Sequence, residues 1–120
     1  MILVKIEAVG GIKDIHPKLW KMIGRIANKL ELRFALDITI NSTDGDRHMH
    51  GSFHYISRAL DFSLLRRNGT LSDNERALAE TEIRKVIKQY EDMLSMNNTF
   101  DLIYYDKGRS FHIEYDPKGA

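Results

Sequence analysis

The segment His54-Tyr55-Ile56-Ser57-Arg58-Ala59-Leu60-Asp61 runs out of a polar loop into an apolar strand that carries an acid inside it. Ala59-Leu60-Asp61-Phe62-Ser63 has the composition of a short strand. An aspartate between Leu60 and Phe62 is a poor core residue unless something pairs with it. His54 stands seven residues before Asp61, so the two are not neighbours on one helix face. They converge if His54 ends the loop and Asp61 lies on the strand that follows.

Upstream, Asn41 to Ser52 is polar and contains Asp44, Asp46, His48 and His50, with Asp44-Gly45 as a turn signal. Before it, Phe34, Leu36, Ile38 and Ile40 recur with period two, which predicts a strand with Ala35, Asp37 and Thr39 on its other face. That strand delivers the chain into an exposed loop, a common position for functional groups.

Downstream, Asn68-Gly69 predicts a turn, and Ser72-Asp73-Asn74-Glu75 fits a capping box at the start of a helix from about Asp73 to Met93. Ala79, Ile83, Val86, Tyr90 and Met93 supply its buried stripe. Phe100 to Tyr105 predicts a strand, Lys107-Gly108 a turn, and Phe111 to Tyr115 the returning partner of a hairpin. Of the two adjacent tyrosines, Tyr104 and Tyr105, one then faces the core and the other is free to border a cleft.

At the N-terminal end, Ile2, Val4, Ile6 and Ala8 alternate as a strand would, and Gly10-Gly11 breaks it. Pro17 suits the first turn of a helix whose apolar positions are Leu19, Ile23, Ile26 and Leu30. His16 needs no role beyond starting that helix, and Trp20 is expected to pack. The sum is one α+β domain over residues 1–120, with two main helices packed on a mainly antiparallel sheet.

Composition narrows the function. A formal charge of +1 gives no electrostatic reason to propose nucleic acid as a partner. No apolar run approaches the length of a membrane span, so membrane insertion is not expected. Met1-Ile2-Leu3-Val4-Lys5 lacks the features of a signal peptide, which predicts synthesis in the cytoplasm and makes the matches at Asn41, Asn68 and Asn97 to the glycosylation pattern weak. With no cysteine in the chain, a metal would be held by nitrogen and oxygen.

His112 and Glu114 are two apart on one strand and share a face. Asp106, at the hairpin turn, can be carried back toward His112 by the opposite strand. Two histidines, an aspartate and a spare carboxylate are the parts of a catalytic zinc site, in which three ligands leave an open position for water and the carboxylate handles its proton. The bland alternative uses the same residues. A histidine–aspartate pair is often a core hydrogen bond, and a strand-end aspartate is often a turn residue. The spacing is not one of the short generic metal signatures, so both readings stay open on spacing alone.

The segment His54-Tyr55-Ile56-Ser57-Arg58-Ala59-Leu60-Asp61 resembles the His-x-x-Gly-x-Ala-x-Asp signature of the zinc D-alanyl-D-alanine carboxypeptidase and endopeptidase family, which includes phage endolysins and shares its fold with the hedgehog signalling domain. Phe100-Asp101-Leu102-Ile103-Tyr104-Tyr105-Asp106 resembles the aromatic strand of the hedgehog-like branch, which ends in an acid six residues before the last ligand. The similarity covers roughly Ile38 to Asp116.

The resemblance implies a hedgehog/DD-peptidase-like fold and Zn2+ held by His54, Asp61 and His112. It implies that Asp106 is the catalytic carboxylate and that His48 is a further active-site histidine that supports the transition state. Ser52, Arg58 and Glu114 are then candidates for holding substrate or orienting a ligand, with Glu114 the second candidate for the base. Ser57 stands where the pattern has glycine. Arg109 stands where peptidases of that family carry their acid, so the role falls to Asp106.

The expected activity is hydrolysis of peptide amides in the peptidoglycan stems of bacterial cell walls. The expected setting is a phage protein acting after holin-assisted release or as part of a particle with other phage proteins. A zinc-stabilised binding or structural module without turnover is the alternative.

Overall fold

A computed structural model describes residues 1–5, 8–43, 58–96, 99–105 and 109–116. They form an α+β structure with the elements β1 (Ile2–Val4), α1 (Val9–Ile12), α2 (Pro17–Phe34), β2 (Leu36–Thr43), β3 (Ala59–Arg66), α3 (Asp73–Met93), β4 (Phe100–Tyr105) and β5 (Ser110–Tyr115). The strands make one mixed sheet in the order β1-β2-β3-β5-β4. β1 runs parallel to β2, and the other three pairings are antiparallel. Among the described residues, no helix is long and apolar enough to cross a membrane.

The period-two patterns account for the layers. Leu36, Ile38, Ile40, Leu60, Phe62, Phe111, Ile113 and Tyr115 point to one face and meet Leu19, Ile23, Ile26 and Leu30 of α2 with Ile83, Val86 and Tyr90 of α3. Phe111 lies at the centre of this core, stacked on Phe62 at 5.1 Å and on Tyr104 at 4.7 Å between ring centroids. Tyr104 is therefore the core member of the tyrosine pair, and Tyr105 is 48% exposed.

Both long helices start as their sequences dictate. His16 is the N-cap of α2, its Nδ1 accepting from the Lys18 amide beside Pro17 in the first turn. Ser72 caps α3, and Ser72 and Glu75 each accept the other's backbone amide, a complete capping box.

Several boundaries differ from the expectations. Phe34 closes α2 and does not open a strand; Ala35, in the left-handed conformation at φ 55°, ends the helix, and β2 begins one residue later. Gly10 and Gly11 lie within the four-residue helix α1, and β1 ends at Val4. β3 extends to Arg66, and Met93 and Trp20 are exposed rather than packed. Glu91 is buried at the end of α3 because its carboxylate accepts the amides of Thr99 and Phe100, tying the helix to the start of β4.

Candidate functional site

The face of the sheet opposite α2 and α3 carries the candidate residues Asp61, His112 and Glu114. Alternation puts Asp61 there, because its neighbours Leu60 and Phe62 are committed to the core. The same rule puts His112 there, between Phe111 and Ile113. Strand register then decides what meets. Asp61 stands opposite His112 across β3 and β5, Ser42 stands opposite Asp61 across β2 and β3, and Ile103 stands opposite His112 across β4 and β5. Ser42, Asp61, His112 and Ile103 therefore make one row across four strands.

His112 is gripped from both sides. Its Nδ1 is 2.6 Å from Asp61 Oδ1, and its Nε2 is 2.8 Å from Glu114 Oε1. Asp61 Oδ2 accepts a hydrogen bond from Ser42 Oγ at 2.8 Å. The Asp61 hydrogen bond is the main reason the imidazole pKa is pushed up to about 9, burial opposing and Glu114 adding to the rise. The ring nitrogens and both carboxylates are only partly covered, with side chains 17%, 27% and 46% exposed for His112, Asp61 and Glu114.

Asp61, His112 and Glu114 are thus brought together. Arg58 lies just before β3, where its carbonyl accepts the Tyr115 amide. Its charge contributes, after burial, to lowering the pKa of His16, the N-cap of α2. His48, His54, Ser52, Ser57 and Asp106 lie outside the described residues. Asn41 is engaged within the sheet, its Nδ2 donating to Ser63 Oγ at 2.7 Å.

Sequence reasoning missed Ser42 and Ile103. Ser42 was concealed by an irregularity in the register of β2 between Ile40 and Ser42. Ile103, 46% exposed beside His112, supplies an apolar flank to a polar row. Its signal was the alternation of β4 itself, which sets Ile103 on the face opposite Leu102 and Tyr104.

The donors suit a small hard-to-borderline cation such as zinc. An imidazole nitrogen and a carboxylate oxygen face each other, and a carboxylate holds the far side of the ring, as around many metal-binding histidines. Two ligands of a tetrahedral ion, each about 2.0–2.1 Å from it, stand roughly 3.3 Å apart. The Asp61–His112 contact needs only a small opening to admit one. Among the described residues no cluster of three or more acidic or histidine side chains forms a ready metal cage. The third expected ligand, His54, lies outside them. A groove on the helix layer, lined by Lys21, Arg25, Asn28, Tyr90, Met93 and Leu94, offers neither carboxylate nor imidazole.

No protein-family model matches the chain, and no curated protein matches it.

Proposed function

We propose that this protein is a zinc-dependent hydrolase of peptide amides in bacterial peptidoglycan, of the D-alanyl-D-alanine carboxypeptidase and endopeptidase type with the hedgehog-like zinc site. The observation that supports it most directly is the register that sets Asp61 against His112, two motif residues 51 positions apart, on adjacent strands.

His54, Asp61 and His112 would hold the ion, which supplies a Lewis acid and a water of lowered pKa when bound. Glu114 holds the outer nitrogen of His112 and so fixes which nitrogen faces Asp61. Asp106 accepts a proton and returns it to the leaving amine. His48 donates a hydrogen bond to the developing oxyanion. Stem peptides of peptidoglycan are the substrate, and a phage setting, virion-borne or released for lysis, is the context. The second reading is a zinc-stabilised binding module; it draws on the same Asp61–His112 contact, which would hold an ion whether or not turnover follows.

The deciding experiment measures zinc content after dialysis, then incubates the zinc form with purified muropeptides and reads product masses. One equivalent of zinc with loss of D-alanine or cleavage of a crosslink supports the hydrolase. One equivalent with no product from several crosslink chemistries supports the binding module. No zinc overturns both.

A further inference from the structure

We propose that Ser42 is the positioning residue of the Asp61 carboxylate, carried to it by a β-bulge in β2. Up to Ile40 the strand alternates regularly, with Leu36, Ile38 and Ile40 in the core. A regular continuation would send Ser42 to the core side as well. The register shows otherwise. Ile40 stands opposite Phe62 and Ser42 opposite Asp61, so two steps along β2 match one step along β3. Beyond the bulge Thr43 stands opposite Leu60 and is 1% exposed, taking the core side in place of Ser42.

The extra residue turns Ser42 onto the face of Asp61 and His112. There its Oγ donates to Asp61 Oδ2 at 2.8 Å, while Asp61 Oδ1 lies 2.6 Å from His112 Nδ1. These two contacts use different oxygens of Asp61. A carboxylate that can swing about its last torsion presents both oxygens to an ion and raises its coordination number. A hydroxyl on Oδ2 restrains that swing and favours ligation through Oδ1, the single-oxygen ligation that a four-coordinate zinc site takes. Asn41, the other residue of the bulge, donates to Ser63 Oγ at 2.7 Å and pins the bulged strand to β3 on the same side of the kink.

The inference rests on the zinc reading above and adds to it a residue that no motif contains. The bland alternative is that Ser42 only fixes strand register. Ser42→Thr and Ser42→Val separate the two, because threonine and valine have the same shape and the same preference for strands and differ in the hydroxyl.

The full chain is titrated with zinc alone, and with cobalt(II) alone as a spectroscopic probe, and each metal-free variant is melted. S42T should keep wild-type zinc affinity. S42V should bind roughly 10–100-fold more weakly, the scale for losing a partner that orients a ligand. Its cobalt form should show the weaker visible absorption of a five-coordinate ion. The metal-free melts of S42T and S42V should agree. Equal zinc affinity and equal cobalt spectra for the two variants overturn the role of Ser42 while leaving the metal site standing. Equal losses in both variants make Ser42 a register residue and overturn it too. A wild-type chain that takes up no zinc overturns the metal site and the role of Ser42 together.

Discussion

Asp61 and His112 are directly opposed across β3 and β5, with Asp61 Oδ1 2.6 Å from His112 Nδ1. Residues 51 positions apart are placed there by strand register alone, and each is kept off the core by large apolar neighbours on both sides. A slip of one residue in either strand would move one partner to the helix face and break the pair. The pair is therefore as well determined as the core beneath it, where Phe62 and Phe111 stack across the same two strands.

The outer nitrogen of His112 lies 2.8 Å from Glu114 Oε1, so on the proposed zinc reading Glu114 orients the ring rather than transferring a proton. Glu114→Gln keeps an acceptor near Nε2 and removes the charge. Zinc should still bind at one equivalent, with affinity lower by roughly 10–100-fold. Competition against a calibrated chelator checks this. Unchanged affinity would place Glu114 outside the influence of the site, and complete loss of zinc would make it a ligand.

A second charged group is built at the other end of β2. Asp37 is 3% exposed, and Arg67 grips both its oxygens, Nε and Nη2 donating at 2.9 and 2.8 Å. Arg67 also reaches Glu31, and the Met1 amino group lies 3.2 Å from Asp37. The Arg67 guanidinium, with help from that amino group and against the effect of burial, holds the Asp37 carboxyl down at about 2 from an ordinary 3.8. A depressed folded-state pKa means that the unfolded chain takes up the proton first. The contribution of Asp37 is thus fully present above about pH 4 and is lost as pH falls through about 2. Urea midpoints should drop across that window. Asp37→Asn should be less stable at pH 7 and should flatten the drop, leaving the smaller share of Glu31, whose pKa Arg67 also lowers. An acid limb in D37N as steep as in wild type would show that the pair plays no part in it.

Much of this fold was legible in the sequence because local rules decided it. The capping box at Ser72 and Glu75 set the start of α3 at Asp73, and alternation in Phe100–Tyr105 set the strand and put the two tyrosines on opposite faces, while which of them packs on the core, Tyr104, was left to the structure. The pairing of Asp61 with His112 was legible as a need, since an acid flanked by Leu60 and Phe62 must find a partner. Its register was not, because cross-strand alignment depends on contacts far apart in sequence. The bulge at Ser42 was hidden for a related reason: an inserted residue shifts the face of every residue after it, and Asn41-Ser42-Thr43 carries no apolar pattern to betray the shift. Gly10 and Gly11 misled because glycine is a weak helix former, yet tertiary packing buries Ala8 and Gly11 and overrides that weakness.

Asp106 decides between an enzyme and a binding module. It follows Tyr105, the last residue of β4, which pairs with Ser110 two residues before His112. Glu114, the rival carboxylate, is already bound to His112 Nε2, which favours Asp106 for proton transfer. Asparagine serves as well as aspartate in a turn, so Asp106→Asn removes the basic oxygen with little reason to disturb the fold. D106N should bind one zinc with wild-type affinity and melt within the error of the wild type. Its hydrolysis of peptidoglycan peptides should fall by roughly 10²–10⁴, the range for losing general acid–base catalysis. The acidic limb of its pH–rate profile should change as well. If D106N cuts at the wild-type rate while E114Q is inactive with zinc bound, the base is Glu114, and the hydrogen bond that holds it to His112 must open during turnover.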